Sequence, residues 1–287
     1  MRKLSKILLT LTMTVGVTQA ALAQDSNTPM RVASDVGFAP FTMRQPDGQV
    51  VGFIADMGAE IAKRTGRPSV EIVDVKFSAI FAGLFAKNFE FIITPLGITP
   101  QRTEEILFTE GYMQTGLGFM TKATAAPIEK LEDLKGRKIA INRGTSTDTW
   151  ITNEQADTKY GFEVQRYDGS ADAIQAVASG RADAYVNDLQ GVQYTAKQVP
   201  NMTYAYEILQ ERTYSTGFRY GDEEARNKVE RAIECMKQDG TLSALNVKWF
   251  GAEPAEGSAM TKVSPGYGPE GMKGWVDVAE ADKPGCN

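Results

Sequence analysis

The chain has 287 residues, with 31 lysines and arginines against 36 aspartates and glutamates, a formal charge of −5, and no histidine. Without imidazole there is no Ser-His-Asp or Cys-His nucleophile and no zinc centre built on histidine. An acidic balance argues against a nucleic-acid partner, and no cofactor or metal is expected.

Arg2, Lys3 and Lys6 open the chain, the apolar stretch ILLTLTMTVGV follows, and Ala21-Leu22-Ala23 precedes the first acid, Asp25. This is the pattern of a secretory signal peptide over residues 1–23, cleaved after Ala23. The stretch is too short and too rich in threonine for a membrane anchor, and no cysteine at the cleavage point could carry a lipid. A soluble exported protein is predicted, whose formal charge deepens to −8 as the three leading cations are lost.

Between Met30 and Gly251 strand-like and helix-like segments alternate, the signature of an α/β protein. MRVASD and FEFIIT read as strands. FIADMGAEIAKRTG places Ile54, Met57 and Ile61 on one helical face and stops at Gly66 and Pro68. After Lys122 the alternation begins again: RKIAIN as strand, a helix from Ser146, FEVQRY as strand, SADAIQAVASG as helix and ADAYVND as strand. Two glycine-bearing, strand-like stretches, TGLGFMTK (115–122) and TYSTGFRY (213–220), flank this second set. If both cross between lobes, residues 116–214 form one lobe, and residues 24–115 with 215–251 form the other. A single larger α/β domain with glycines only in turns is the alternative. EEARNKVERAIECMKQDG, with Ala225, Val229, Ala232 and Met236 at helical spacing, needs a core to cover, as does TLSALNVKWFG after it; the first lobe is the natural one. Cys235 and Cys286, in an oxidising compartment, suggest a bridge, with two unpaired thiols as the alternative. A bridge would fasten the glycine- and proline-rich tail, residues 252–287, to the helix that carries Cys235; without it the tail reads as disordered.

In open α/β sheets ligands sit outside the carboxyl ends of the strands, where helix amino termini also point. Thr94, Gly97, Thr99 and Arg102 follow FEFIIT, with Pro100 at the first position of a helix capped by Thr99. Gly144, Thr145 and Ser146 follow RKIAIN, Asp188 follows ADAYVN, and Asp35 follows MRVAS. Arg102 stands in the first turn of a helix, where the dipole disfavours a cation unless an anion is near. The inventory suits a zwitterion. Arg102 can grip a carboxylate through two parallel hydrogen bonds, Asp188 and Asp35 can accept from an ammonium, and the amides around Gly97, Thr145 and Ser146 can complete the carboxylate's shell. The plainer alternatives are a surface pair of Arg102 with Glu104 or Glu105 and helix-capping roles for the aspartates.

ASDVGFAPF, GQVVGFIADMGAEIAKRTG, FIITPLGITPQRTEEILFTEGYM, LEDLKGRKIAINRGTSTDTW, GRADAYVNDLQ and KQDGTLSALNVKWFG stand in the order found in the periplasmic solute-binding proteins of family 3, which this chain resembles from Met30 to Gly251. These are receptors of ABC importers for polar amino acids and related compounds. The resemblance implies the type II periplasmic binding protein fold: two α/β lobes, joined by two hinge strands, that close on the ligand. It also implies that Arg102 binds the ligand α-carboxylate and Asp188 the α-ammonium. Thr94 and the backbone of Gly97 would line the first lobe, and Thr145 and Ser146 would meet the carboxylate from the second. Phe38 and Phe77 match positions that sandwich the ligand side chain, with core packing as the plain alternative. Asn142 and Asn187 stand where relatives vary with their ligands. Pro95 and Gly97 depart from the pattern, since Pro95 has no amide hydrogen and Gly97 no side chain. A bulkier or differently substituted ligand, such as an opine-type conjugate, fits those departures. The implied setting is a monomer in the periplasm that docks on the membrane permease of an ABC importer. The rival is an enzyme on the same scaffold, a cyclohexadienyl dehydratase using Asp188 or Glu90 as its acid.

Overall fold

The computed structural model describes residues 27–286. The signal segment and its cleavage point after Ala23 lie outside the described residues. In chain order the elements are β1 (Met30–Ser34), β2 (Met43–Arg44), β3 (Val50–Val51), α1 (Phe53–Arg64), β4 (Val70–Asp74), α2 (Phe77–Phe85), β5 (Phe91–Gly97), α3 (Pro100–Thr103), β6 (Ile106–Phe108) and β7 (Met113–Lys122). There follow β8 (Lys138–Asn142), α4 (Ser146–Asn153), α5 (Ala156–Tyr160), β9 (Glu163–Tyr167), α6 (Ser170–Ser179), β10 (Ala184–Asp188), α7 (Leu189–Gln198), β11 (Met202–Arg219), α8 (Glu223–Gln238) and α9 (Thr241–Phe250).

Among the described residues one nine-stranded sheet runs in the order β4-β1-β5-β11-β7-β10-β8-β9, with β6 also on β11. β1 pairs in parallel with β4 and β5, and β8 pairs in parallel with β9 and β10. Between these two parallel blocks lies the antiparallel pair β7 and β11. β7 continues onto β10, whereas β11 continues onto β5 and β6. The second connecting strand is therefore much longer than TYSTGFRY suggested, beginning at Met202 rather than Thr213. Its first half alternates half-buried and exposed residues, and its register shifts between Leu209 and Arg212. A bulge of this kind bends a strand and re-aims its side chains.

Each block has its own apolar core. Val32, Phe53, Ile54, Met57, Ile61 and Phe91 pack with Tyr214, Phe218, Val229, Ile233 and Met236, and a second cluster sets Phe77, Ile80 and Leu84 against Ile92 and Phe108. The other block holds Leu117, Phe119, Ile139, Ile141 and Val186 on one side, and Met120, Tyr185, Ala176 and Val192 on the other. Chain start and chain end thus share one core, while the middle of the chain builds its own. Among the described residues no helix is long and apolar enough to cross a membrane.

The tail is ordered. It covers the polar face of α8, whose Arg226, Glu230, Glu234 and Lys237 are all buried. Arg226 donates to the carbonyls of Phe108 and Gly274, and Glu230 accepts from the Gly268 amide through both oxygens. Lys237 pairs with Glu110 at 2.8 Å and donates to the carbonyls of Gly111 and Lys262, while Lys283 pairs with Glu234. Cys235 and Cys286 are bridged, with Cα atoms 5.4 Å apart.

Candidate functional site

The carboxyl ends of the two parallel blocks face each other across a narrow cavity. The ligand-contacting residues expected from the sequence line it: Asp35, Phe38, Phe77, Thr94, Gly97 and Arg102 from one side, Asn142, Thr145, Ser146, Asn187 and Asp188 from the other; Thr99, Gly144 and Glu90 do not. Pro95 and Ser170 line it as well. Such a meeting of strand ends is where α/β sheets place ligands.

Arg102 owes its place to local chemistry. Thr99 caps α3 by accepting the Arg102 amide at 3.2 Å, and Pro100 starts the helix with a residue that has no amide hydrogen to satisfy. The guanidinium does not turn to Glu104, which pairs with Lys273 instead. One nitrogen donates to the Gly97 carbonyl at 2.8 Å and the other to the Gly144 carbonyl at 2.8 Å, so the fork spans the two blocks. Its charge lies over the rings of Phe77 and Phe81, 5.7 and 5.6 Å from their centroids, which favours a cation. Burial lowers its pKa to about 10, with Asp188 opposing that shift and Arg212 adding to it; it stays charged at neutral pH. Phe77 is the first residue of α2 and belongs to the core as well as to the cavity wall. Phe38 stacks on Phe41 at 5.1 Å and sits against Gly191 of α7, where a Cβ would stand 2.2 Å from its ring.

Asp188 ends β10 and is already engaged. Ser146 Oγ donates to its Oδ1 at 3.1 Å, and Arg212 Nη2 donates to the same oxygen at 2.7 Å. Burial pushes its pKa upward, while Arg212, Ser146, Arg102 and the Tyr214 hydroxyl oppose the shift by favouring the carboxylate. Tyr214 in turn accepts from Thr115 at 3.0 Å. Thr145 caps α4 and donates to the Asn142 carbonyl at 2.8 Å.

Asp35 lies in a different charge environment. Burial raises its pKa to about 6, partly offset by Lys76 and by the backbone amides of Phe77 and Ser170. Its Oδ2 has no hydrogen-bond partner among the described residues, and neither do the side-chain oxygens of Asn142 and Asn187. Their amide nitrogens are used, Asn142 on Ser170 Oγ at 2.8 Å and Asn187 on the Tyr185 hydroxyl. Three buried acceptors therefore stand without donors in one cavity, a costly state that a donor-bearing guest relieves.

Sequence reasoning missed Arg212, Ser170 and Tyr214. Arg212 follows Glu211 and reads as one of two surface charges; only the bulge after Leu209 turns it inward, and nothing in the local sequence announces that bulge. Glu90, the other acid considered for an enzyme, is not in the cavity; it pairs with Arg67 at 2.9 Å.

The family description "Bacterial extracellular solute-binding proteins, family 3" matches residues 30–252. The chain is 31% identical over 222 residues to a probable amino-acid ABC transporter-binding protein of Haemophilus influenzae, covering 77% of this chain and 84% of that protein. Among solved structures, an ancestral arginine-binding protein bound to arginine superposes with a TM-score of 0.73 at 30% identity, covering 79% of this chain and 99% of that one. An ancestral amino acid-binding protein described as a precursor of cyclohexadienyl dehydratase superposes with a TM-score of 0.67 at 31% identity, covering 78% of this chain and 95% of that one.

Proposed function

This chain belongs to the bacterial extracellular solute-binding proteins, family 3, and on that footing we propose that it captures an amino acid or amino-acid derivative by closing two lobes and delivers it to the permease of an ABC importer. The observation that carries the reading is Arg102, a charged fork held between the two halves by carbonyls of both, opposite Asp188. In this reading Arg102 grips the α-carboxylate, with the amides at Thr145 and Ser146 assisting, and Asp188 receives the amine. Thr94 and the backbone of Gly97 line the near wall, and Phe38 and Phe77 hold the side chain between their rings. The side chain carries N–H donors toward Asp35, Asn142 and Asn187, whose oxygens lack partners. An arginine-bound relative of the same fold agrees with such a guest. Burying both ends of a zwitterion is costly unless each is paired, so the ligand favours the shut form, in which both partners reach it.

The lobes are taken as residues 24–115 with 215–251, and 116–214, with the tail, 252–287, on the first. The protein acts as a monomer in the periplasm after removal of residues 1–23. A thermal-shift screen of amino acids, opines and polyamines tests the reading. The expected result is a stabilising hit bearing a carboxylate and an amine, weakened about a hundredfold by Arg102→Ala, as loss of a charge-assisted pair worth about 3 kcal/mol requires. A best hit that is a neutral sugar or a polyamine would refute it.

A second reading has one observation in its favour: an acid in the cavity, Asp35, with its pKa raised to about 6, in a fold shared with a dehydratase precursor. Raised carboxyl pKa values suit general acids. The Asp35 carboxyl fits a ligand contact equally, and the protein acts without chemistry; sustained formation of phenylpyruvate from prephenate would replace this conclusion.

A further inference from the structure

Behind the cavity wall lies a chain of four polar side chains that the amino-acid reading uses only at its ends. Tyr185 and Asn187 stand two apart on β10 and so share a face. β10 pairs with β8 so that Tyr185 lies beside Ala140, and the same register two residues on sets Asn187 beside Asn142. Ser170 opens α6, which packs on this face through Ala173, and its hydroxyl takes no part in capping because the N-cap is Gly169. Asn142 Nδ2 donates to Ser170 Oγ at 2.8 Å, and Asn187 Nδ2 donates to the Tyr185 hydroxyl at 2.5 Å. The hydroxyls of Ser170 and Tyr185 also bond to one another. All four residues are buried.

Counting hydrogens shows what this chain presents to a guest. A hydroxyl carries one hydrogen, so Ser170 and Tyr185 have two between them. Burial pushes the Tyr185 phenol far above its ordinary range, so it keeps its own. The bond between the hydroxyls takes one hydrogen, and the other can serve at most one asparagine. At least one amide must therefore give its N–H to a hydroxyl, which turns its oxygen the opposite way. In the structure both do so: Asn142 Oδ1 and Asn187 Oδ1 are buried without partners, and both residues line the cavity. The two ends of an amide have nearly the same shape, so only these hydroxyls tell one end from the other.

Building on the amino-acid reading of this cavity, we propose that Ser170 and Tyr185 are positioning residues: their mutual hydrogen bond holds Asn142 and Asn187 with the oxygens toward the guest, which selects a donor over an acceptor at the end of its side chain. They act through the two amides. Removing either hydroxyl frees the hydrogen of the other. In Ser170→Ala the Tyr185 hydroxyl can donate to Asn187 Oδ1, and in Tyr185→Phe the Ser170 hydroxyl can donate to Asn142 Oδ1. The amide so engaged turns its nitrogen to the cavity.

Calorimetric titration of the protein with L-arginine and L-citrulline tests this, since the two side chains match in shape and differ by a donor group exchanged for a carbonyl. The unaltered protein is expected to prefer arginine. Ser170→Ala and Tyr185→Phe are each expected to lower the arginine-to-citrulline affinity ratio about tenfold, and Ser170→Thr, which keeps the hydroxyl, to hold it within about twofold. A mere loss of fit would weaken both ligands together and leave the ratio alone. An unchanged ratio in either Ser170→Ala or Tyr185→Phe therefore overturns the proposal and leaves the amino-acid reading standing. Tighter binding of citrulline by the unaltered protein overturns the orientation of the amides. Binding of neither compound by the unaltered protein overturns the side-chain part of the amino-acid reading and this proposal with it.

Discussion

Asp35 shows how a single carboxyl ties stability to binding. Its pKa is about 6 in the folded chain against an ordinary 3.8, so the native state holds its proton more tightly than the unfolded chain does. Stability then falls as pH rises from about 4 to about 6, and the whole loss, about 3 kcal/mol, is present at neutral pH. Asp35→Asn is expected to recover about 2 to 3 kcal/mol of it in the ligand-free protein at pH 7.5 and almost none at pH 3.5, read by urea unfolding at both values. The same substitution is expected to weaken a basic ligand, since an ionised Asp35 is what its donors require. Residues of this kind were legible because their signal is positional: a polar residue just past a strand, or an arginine just past a Thr-Pro cap, can be placed without knowing what surrounds it. Arg212 carries no such mark, for its direction is set by the register shift between two paired strands, a relation that a single stretch of sequence does not contain.

At the scale of elements, α8 and the tail behave as one unit. Val229, Ala232, Ile233 and Met236 of α8 bury in the core, and their spacing made that face readable. The adjoining face, with Arg226, Glu230, Glu234 and Lys237, has the composition of a solvated surface but lies beneath the tail. Each buried charge there has a partner from the tail or from the strand and loop at 108–111, and breaking such a pair leaves an uncompensated charge. The bridge holds this arrangement by joining residues 51 apart. Replacing both cysteines with serine is expected to cost up to about 4 kcal/mol of unfolding free energy on the chain-entropy model. Limited proteolysis of that variant should show early cleavage within residues 252–286, whereas an unchanged digestion pattern would mean that the buried charge pairs alone secure the tail. Pattern reading identified the cysteines and the tail, but not its packing, because the partners that order it are hydrogen bonds to backbone amides and carbonyls such as those of Gly268 and Gly274.

For the whole molecule, the two α/β sets were legible in the alternation of strand and helix patterns, which begins again after Lys122, whereas the antiparallel pairing of β7 with β11 was not. Nor was the length of β11, because its first half alternates like an ordinary half-exposed strand and gives no sign that it runs on into the other block. Closure depends on contacts between the blocks, and Gly191 is one of them: a methyl group there would stand 2.2 Å from the Phe38 ring. Gly191→Ala is therefore expected to disfavour the shut form and lower ligand affinity at least tenfold, with a smaller contraction on ligand addition by small-angle X-ray scattering. An affinity equal to that of the unaltered protein would show that Phe38 yields freely and that this contact does not govern closure. The central claim is that one guanidinium and one opposing carboxylate hold the two ends of the same small dipolar guest. A crystal structure with the strongest stabilising amino compound from the screen examines it directly: the ligand carboxylate is expected within hydrogen-bond distance of Arg102 and its amine within reach of Asp188. A ligand bound with its carboxylate away from Arg102 would contradict the account.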